Sequence, residues 1–140
     1  MKTDQKAIRK VTGELLASLK LQDKDLSILF VDDRGITALN REYFGKDRPT
    51  NVISFSYSDG MPGEAMGDII ISVERTAVEA GEAGIPFYER LFALIVHGLV
   101  HIMGYDHLRG ESEARKMRYR ERRFMDLVRS QPAYRALVDI

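Results

Sequence analysis

The spacing of apolar residues along the chain predicts a mixture of helices and short strands. From Thr3 to Leu19 apolar side chains recur every three or four positions, which indicates an amphipathic helix. Short apolar or alternating runs over Leu26–Val31, Asn51–Tyr57 and Asp68–Val73 predict three strands. Asp33 to Gly35 has the composition of a turn. Helical spacing resumes in four further segments, at about 36–44, 73–83, 86–103 and 111–129.

The order of these elements predicts the architecture. The second and third strands are joined by a glycine- and proline-rich connection, so we expect them to be antiparallel neighbours. The first strand reaches the second through a helix, which favours a parallel arrangement of those two. The predicted fold class is α+β (α/β): a small mixed sheet of three to four strands covered by about five helices. We expect residues 1–140 to form a single domain.

Composition excludes several classes of protein. The 140 residues carry 21 basic and 21 acidic side chains, so the chain lacks the overall positive charge of many nucleic-acid binders. It has no cysteine, which rules out disulfides and thiolate metal sites. No apolar run reaches the ~20 residues of a membrane helix, and the N-terminus has no signal-peptide pattern. We therefore expect a cytoplasmic protein with no membrane partner; the oligomeric state is not predictable.

All three histidines of the chain fall between positions 97 and 107. His97 and His101 are four residues apart, so a helix places both imidazoles on one face, where they can share an ion. Gly104 can adopt a left-handed conformation and end that helix. His107 can then supply a third ligand from beyond the turn. The spacing predicts one metal ion per chain, most simply Zn²⁺, held by these three histidines.

A zinc site with three histidines and no fourth protein ligand is typical of catalysis, because the open position admits water and lowers its pKa to ~7. The spacing also matches that of metzincin peptidases, which have a glutamate base directly after the first histidine. Here that residue is Gly98, so a zinc peptidase is disfavoured. The glycine is either simply tolerated in the helix or needed because substrate or a neighbouring strand approaches the backbone.

Three stretches together resemble the YbeY family of bacterial endoribonucleases. The most specific is residues 97–107, which read HGLVHIMGYDH. Two supporting stretches are residues 39–55, LNREYFGKDRPTNVISF, and residues 67–72, GDIIIS. With the order of elements, the similarity extends over roughly residues 25–130.

The resemblance implies a metal-dependent endoribonuclease that cleaves single-stranded RNA and matures the 3′ end of 16S ribosomal RNA. It implies a role in ribosome quality control, with RNA and the small ribosomal subunit as partners. It also implies that His97, His101 and His107 are the zinc ligands.

Two departures from the family pattern stand out. Members usually carry an arginine where this chain has Phe44, and an additional strand before the first helix. Phosphoryl transfer needs a cation where negative charge develops, and Arg48 in the same loop is our preferred substitute. Asp106 is the second candidate catalytic residue: it can orient a ligand imidazole, or it can be only a turn residue. Asp68 is open to the same two interpretations.

The segment 109–123 contains seven basic and three acidic residues and directly follows His107. It can hold a phosphate backbone near the metal, or it can be a solvated helix face with internal ion pairs. Two alternatives to the nuclease thus remain open. One is a non-catalytic ribosome assembly factor with a structural metal, which the loss of the arginine at Phe44 favours. The other is a different zinc hydrolase, disfavoured by Gly98.

Overall fold

A three-stranded sheet with helices around it forms the centre of the structure, a computed structural model that describes residues 3–57, 65–104 and 110–139. The α+β class and the mixed sheet are confirmed, with three strands and six helices in the described ranges. In chain order the elements are α1 (Gln5–Ser18), β1 (Asp25–Val31), α2 (Asp33–Phe44), β2 (Val52–Ser56), β3 (Ala65–Ser72), α3 (Val73–Ala83), α4 (Phe87–Ile102), α5 (Glu111–Arg129) and α6 (Pro132–Val138).

The strands lie in the order β1-β3-β2. β2 and β3 are antiparallel neighbours, as predicted. The prediction that β1 runs parallel to β2 is wrong, because β1 pairs in parallel with β3 instead. The apolar run Ile69 to Ile71 explains the order: it is buried on both faces, and a strand of that kind takes the centre of a sheet.

One predicted boundary changes, and one helix is additional. The interpretation of Asp33 to Gly35 as a turn is wrong, since α2 begins at Asp33. The Asp32 carboxylate accepts a hydrogen bond from the Gly35 amide at 2.7 Å and caps the helix. The short helix α6 was not predicted; it opens with Pro132, a favourable first residue, and buries the Tyr134 ring against Phe92.

The helix α4 packs across one face of the sheet, and Gly98 is a point of close approach. A Cβ atom built at Gly98 would lie 3.1 Å from three side-chain carbons of Ile69 on β3. The open question about this glycine is therefore answered: a neighbouring strand approaches the helix backbone there. Gly67 has a similar role on the sheet, because a Cβ there would collide with the carbonyl oxygen of Phe55.

Across the three described ranges, no single helix is long and apolar enough to cross a membrane. Together α3 and α4 meet that test by length and composition alone, with a bend of 117° between them.

We expect Gly98→Ala to lower the free energy of unfolding by about 1 kcal/mol, because overpacking against a fully buried isoleucine outweighs the gain in helix propensity. Gly13→Ala is the matched control. Gly13 also lies inside a helix, but beyond its chain neighbours and the helix's own backbone no heavy atom lies within 4 Å of the position that a Cβ would take, so this variant should gain roughly 0.5–1 kcal/mol. Urea denaturation of both variants measures the difference. A Gly98→Ala protein as stable as the parent would contradict the close packing.

Candidate metal centre

The helix α4 holds two of the three predicted ligands on its flank. Most residues of α4 are buried, and Gly98 and Ile102 lie against the sheet. His97 and His101 each precede one of these two residues, so they lie about 100° around the helix from the sheet-facing line. Both histidines are partly buried. The packing of α4 on the sheet therefore fixes the direction of the face that carries the imidazoles.

The two imidazoles lie close enough to share an ion. Their ring centres are 4.7 Å apart, with 76° between the ring planes. Two imidazoles whose nitrogens each lie ~2.0–2.1 Å from one tetrahedral zinc have ring centres roughly 5 Å apart. The pair therefore fits the predicted use as two ligands of one ion, and neutral imidazole nitrogen is a donor that zinc favours.

Glu121 of α5 completes the described part of this centre. Its Oε1 lies 2.9 Å from Nδ1 of His97, across the interface between α4 and α5. Sequence analysis missed this residue and counted it only as one charge among many on α5. A signal was present, because Glu121 occupies a stripe of otherwise buried side chains on α5: Ala114, Met117, Phe124 and Val128.

The third predicted ligand, His107, and the candidate Asp106 lie outside the described residues. The turn before them is described: Gly104 has φ of 96°, the left-handed conformation expected of it, and α4 ends at Ile102. Within the described ranges no group of three His, Asp or Glu side chains is arranged to hold a metal. The three-histidine site therefore stays a prediction, of which two members are seen together.

The loop that follows α2 begins beside Phe44, the position at which the family resemblance implies an arginine. Phe44 is half exposed and stacks on Phe55 of β2, with ring centres 6.3 Å apart and nearly parallel planes. Gly45 has φ of 68° and ends α2. Along β2, Phe55 alternates with Ser54 and Ser56, and the Ser56 hydroxyl donates a hydrogen bond to the carbonyl of Ile102 on α4. Phe55 and the Phe44 ring on it therefore lie on the sheet face opposite α4.

The side chain of Arg48, our candidate for the missing cation, is exposed. The carbonyl of Arg48 accepts a hydrogen bond of 2.9 Å from the buried side-chain amide of Asn40, which fixes this part of the loop to α2. Arg41, the other arginine nearby, pairs with Asp47 at 3.3 Å in a solvent-exposed contact. Both arginines are therefore exposed, and Arg41 is held in an ion pair with Asp47.

The Asp68 carboxylate accepts a short hydrogen bond from the Tyr57 hydroxyl. This hydrogen bond raises the pKa of the Tyr57 phenol above its usual value of 10.0, and burial and the negative charge of Asp68 add to the effect. Asp68 is paired with Phe55 in the sheet, so its side chain lies on the face opposite α4. This position favours the structural interpretation of Asp68 over an orienting role toward the imidazoles.

The basic residues of α5 that the structure describes are mostly exposed. Lys116 pairs with Glu113 at 3.4 Å, and Arg129 pairs with Asp126 at 3.7 Å, both in contacts with solvent. Further exposed arginines on the same helix are Arg115, Arg118, Arg122 and Arg123. Ion pairs within the helix therefore neutralise part of its positive charge, and the other exposed arginines leave a positively charged surface on α5.

Comparisons with known proteins cover most of the chain. The family described as Endoribonuclease YbeY matches residues 1–129. Among curated proteins, the Endoribonuclease YbeY of Geobacter sulfurreducens is 48% identical over 126 residues, which are 86% of this chain and 84% of that protein. The Endoribonuclease YbeY of Syntrophotalea carbinolica is 42% identical over 130 residues, 89% of this chain and 86% of that protein.

The fold also has a counterpart among solved structures. The solution structure of a Thermotoga maritima protein superposes with a TM-score of 0.68, covering 95% of this chain and 91% of that one. At 24% sequence identity this similarity shows the fold alone.

Proposed function

Because the chain belongs to the Endoribonuclease YbeY family, we propose that it is an endoribonuclease that cleaves single-stranded RNA with the help of one zinc ion. The observation that best supports a metal site is the pair His97 and His101, whose ring centres are 4.7 Å apart on one flank of α4. His107 is the third ligand in this proposal, and Asp106 is its candidate orienting residue.

The donor set suits hydrolysis of a phosphodiester. A zinc ion held by three neutral imidazoles would supply a Lewis acid for phosphoryl oxygens and would acidify water. The protein itself contributes a rigid helix for two imidazoles, a carboxylate behind one of them and exposed arginines on α5. Arg48 is the residue we assign to charge stabilisation in the transition state.

The physiological substrate we propose is the 3′ end of 16S ribosomal RNA, in the cytoplasm and on the small ribosomal subunit. The family pattern of residues 39–55 and 97–107 supports this assignment. The exposed cations of α5 support RNA as the ligand, because phosphate contacts dominate affinity for nucleic acid.

A second function is favoured by one observation. Phe44 replaces the family arginine and its ring stacks on Phe55, so this chain has an apolar contact where a guanidinium is usual. A non-catalytic assembly factor with a structural metal fits that replacement. A peptidase does not fit, because position 98 faces Ile69 and a glutamate there would enter the sheet packing instead of the site.

We expect about one zinc per chain, measured by elemental analysis of protein purified without chelator. His107→Ala should lose the metal, because two ligands are too few to hold zinc against water and chelators. Asp126→Ala, on an exposed part of α5, is the control and should keep it. Full occupancy in His107→Ala protein would contradict the three-ligand site.

We expect cleavage of single-stranded RNA, little cleavage of DNA of the same sequence, and none of casein. Replacing Arg115, Lys116 and Arg118 by glutamine should weaken RNA binding and reduce the slope of log K against log salt by about 0.7 for each phosphate that is no longer neutralised. Replacing Lys6, Arg9 and Lys10 of α1 is the matched control. If the two triple variants have equal slopes of log K against log salt, the exposed side of α5 is only a solvated helix face and does not contact the RNA.

We expect Arg48→Lys to lower kcat tenfold or more, about 1.4 kcal/mol in the barrier, because a guanidinium offers two directed donors and an ammonium does not. The zinc content of the Arg48→Lys protein should equal that of the parent. Arg41→Ala is the control and should cleave at the parent rate. If Arg48→Ala also cleaves at the parent rate, Arg48 has no catalytic role; if the parent itself does not cleave RNA, the assembly factor becomes the better function.

A further inference from the structure

Glu121 occupies a position where a carboxylate is unexpected. It lies on the core-facing stripe of α5, one turn from Met117 and one turn from Met125, both buried. Its side chain is only 31% exposed. Partial burial of a carboxylate is costly unless hydrogen bonds replace the lost water. The contact with His97 supplies such a bond, and it joins two helices through residues that are 24 positions apart in the chain.

This contact determines which nitrogen of His97 carries hydrogen. An ionised carboxylate can only accept a hydrogen bond, so the 2.9 Å contact requires a proton on Nδ1. A neutral imidazole has one proton, and Nε2 is then the nitrogen with the lone pair. Metal ligands of this kind commonly donate their other ring N–H to a carboxylate, which sets both tautomer and ring orientation.

We propose that Glu121 is a positioning residue that holds His97 in the Nδ1–H tautomer and aims Nε2 at the shared metal position beside His101. The inference rests on the metal site of the proposed function. It assigns to α5 a second role besides RNA contact: the helix that carries the cations also sets the geometry of a ligand on α4. Because the bond is between neighbouring helices, the orientation of His97 depends on the packing of α5 against α4.

The first test is made without metal. In metal-free protein at pH 8, long-range ¹H–¹⁵N correlation spectra report which nitrogen of each histidine is protonated. We expect the Nδ1–H form of His97 in the parent and a shift toward the Nε2–H form, the usual preference of free histidine, in Glu121→Ala. Glu113→Ala is the matched control, because Glu113 is a partly buried, ion-paired glutamate on the same helix. It should leave the spectrum of His97 unchanged.

The second test is zinc affinity, measured by competition with a chromophoric chelator. We expect Glu121→Ala to bind zinc ~10–100-fold more weakly than the parent. Glu121→Gln should fall between the two, because its amide oxygen accepts the same hydrogen bond without the charge. Glu113→Ala should bind as the parent does. If Glu121→Ala does not fold, the comparison of Glu121→Gln with the parent decides, and equal affinity overturns the proposal.

The outcomes separate this proposal from the one on which it rests. A parent that binds zinc while Glu121→Ala keeps both its affinity and the Nδ1–H tautomer overturns the role of Glu121 alone. A parent that binds no divalent metal overturns the metal site and, with it, the assignment of Glu121 as a residue that positions a ligand.

Discussion

The close packing of α4 on β3 is the contact on which the candidate site depends. Gly98 lets the helix backbone lie directly against Ile69, and the fully buried residues around it leave the helix one orientation. Because a helix is rigid, that orientation also fixes the flank that carries His97 and His101. A larger residue at position 98 would move the helix away from the sheet and change the reach of both imidazoles.

The same packing brings the end of α4 to the edge of the sheet. The Ser56 hydroxyl on β2 donates a hydrogen bond to the carbonyl of Ile102, and Gly67 allows the carbonyl of Phe55 to approach β3 closely. The C-terminus of the helix is thereby anchored next to an edge strand. Gly104, inside the motif of residues 97–107, then has φ of 96°. Gly67 and Gly98 thus allow the helix and the sheet to approach each other closely, and Gly104 lies where the helix ends.

The helix α5 carries charged groups of opposite sign on two different sides. Its exposed face carries arginines suited to a phosphate backbone, and its buried stripe contains one carboxylate, Glu121, that contacts a candidate metal ligand. Moving the helix would affect both. On the other face of the sheet, Phe44 and Phe55 form a ring stack at the position where the family resemblance implies a guanidinium. The loop cation that we assign in its place is Arg48, whose carbonyl is bonded to the Asn40 side chain.

The sequence alone determined the elements whose signals are local. Helical spacing predicted α3 and α5 at their observed bounds, and the positive φ of Gly104 followed from where α4 must end. It also determined that the histidines are grouped, since His97 and His101 share a helix face by spacing alone. The strongly apolar strand β3 could be recognised from the sequence, but its place between β1 and β2 could not. Strand order depends on how other elements bury both faces of each strand.

Only the tertiary structure decided contacts between residues far apart in the chain. The reason for Gly98 is a strand 29 residues earlier at Ile69, and no pattern around the glycine records it. The pairing of Glu121 with His97 depends on how α5 crosses α4, which side-chain packing along both helices sets. The position of Phe44 across the sheet from the histidines likewise follows from the alternation of β2 once its register with β3 is fixed. Local spacing specifies which residues can act, and long-range packing specifies which of them meet.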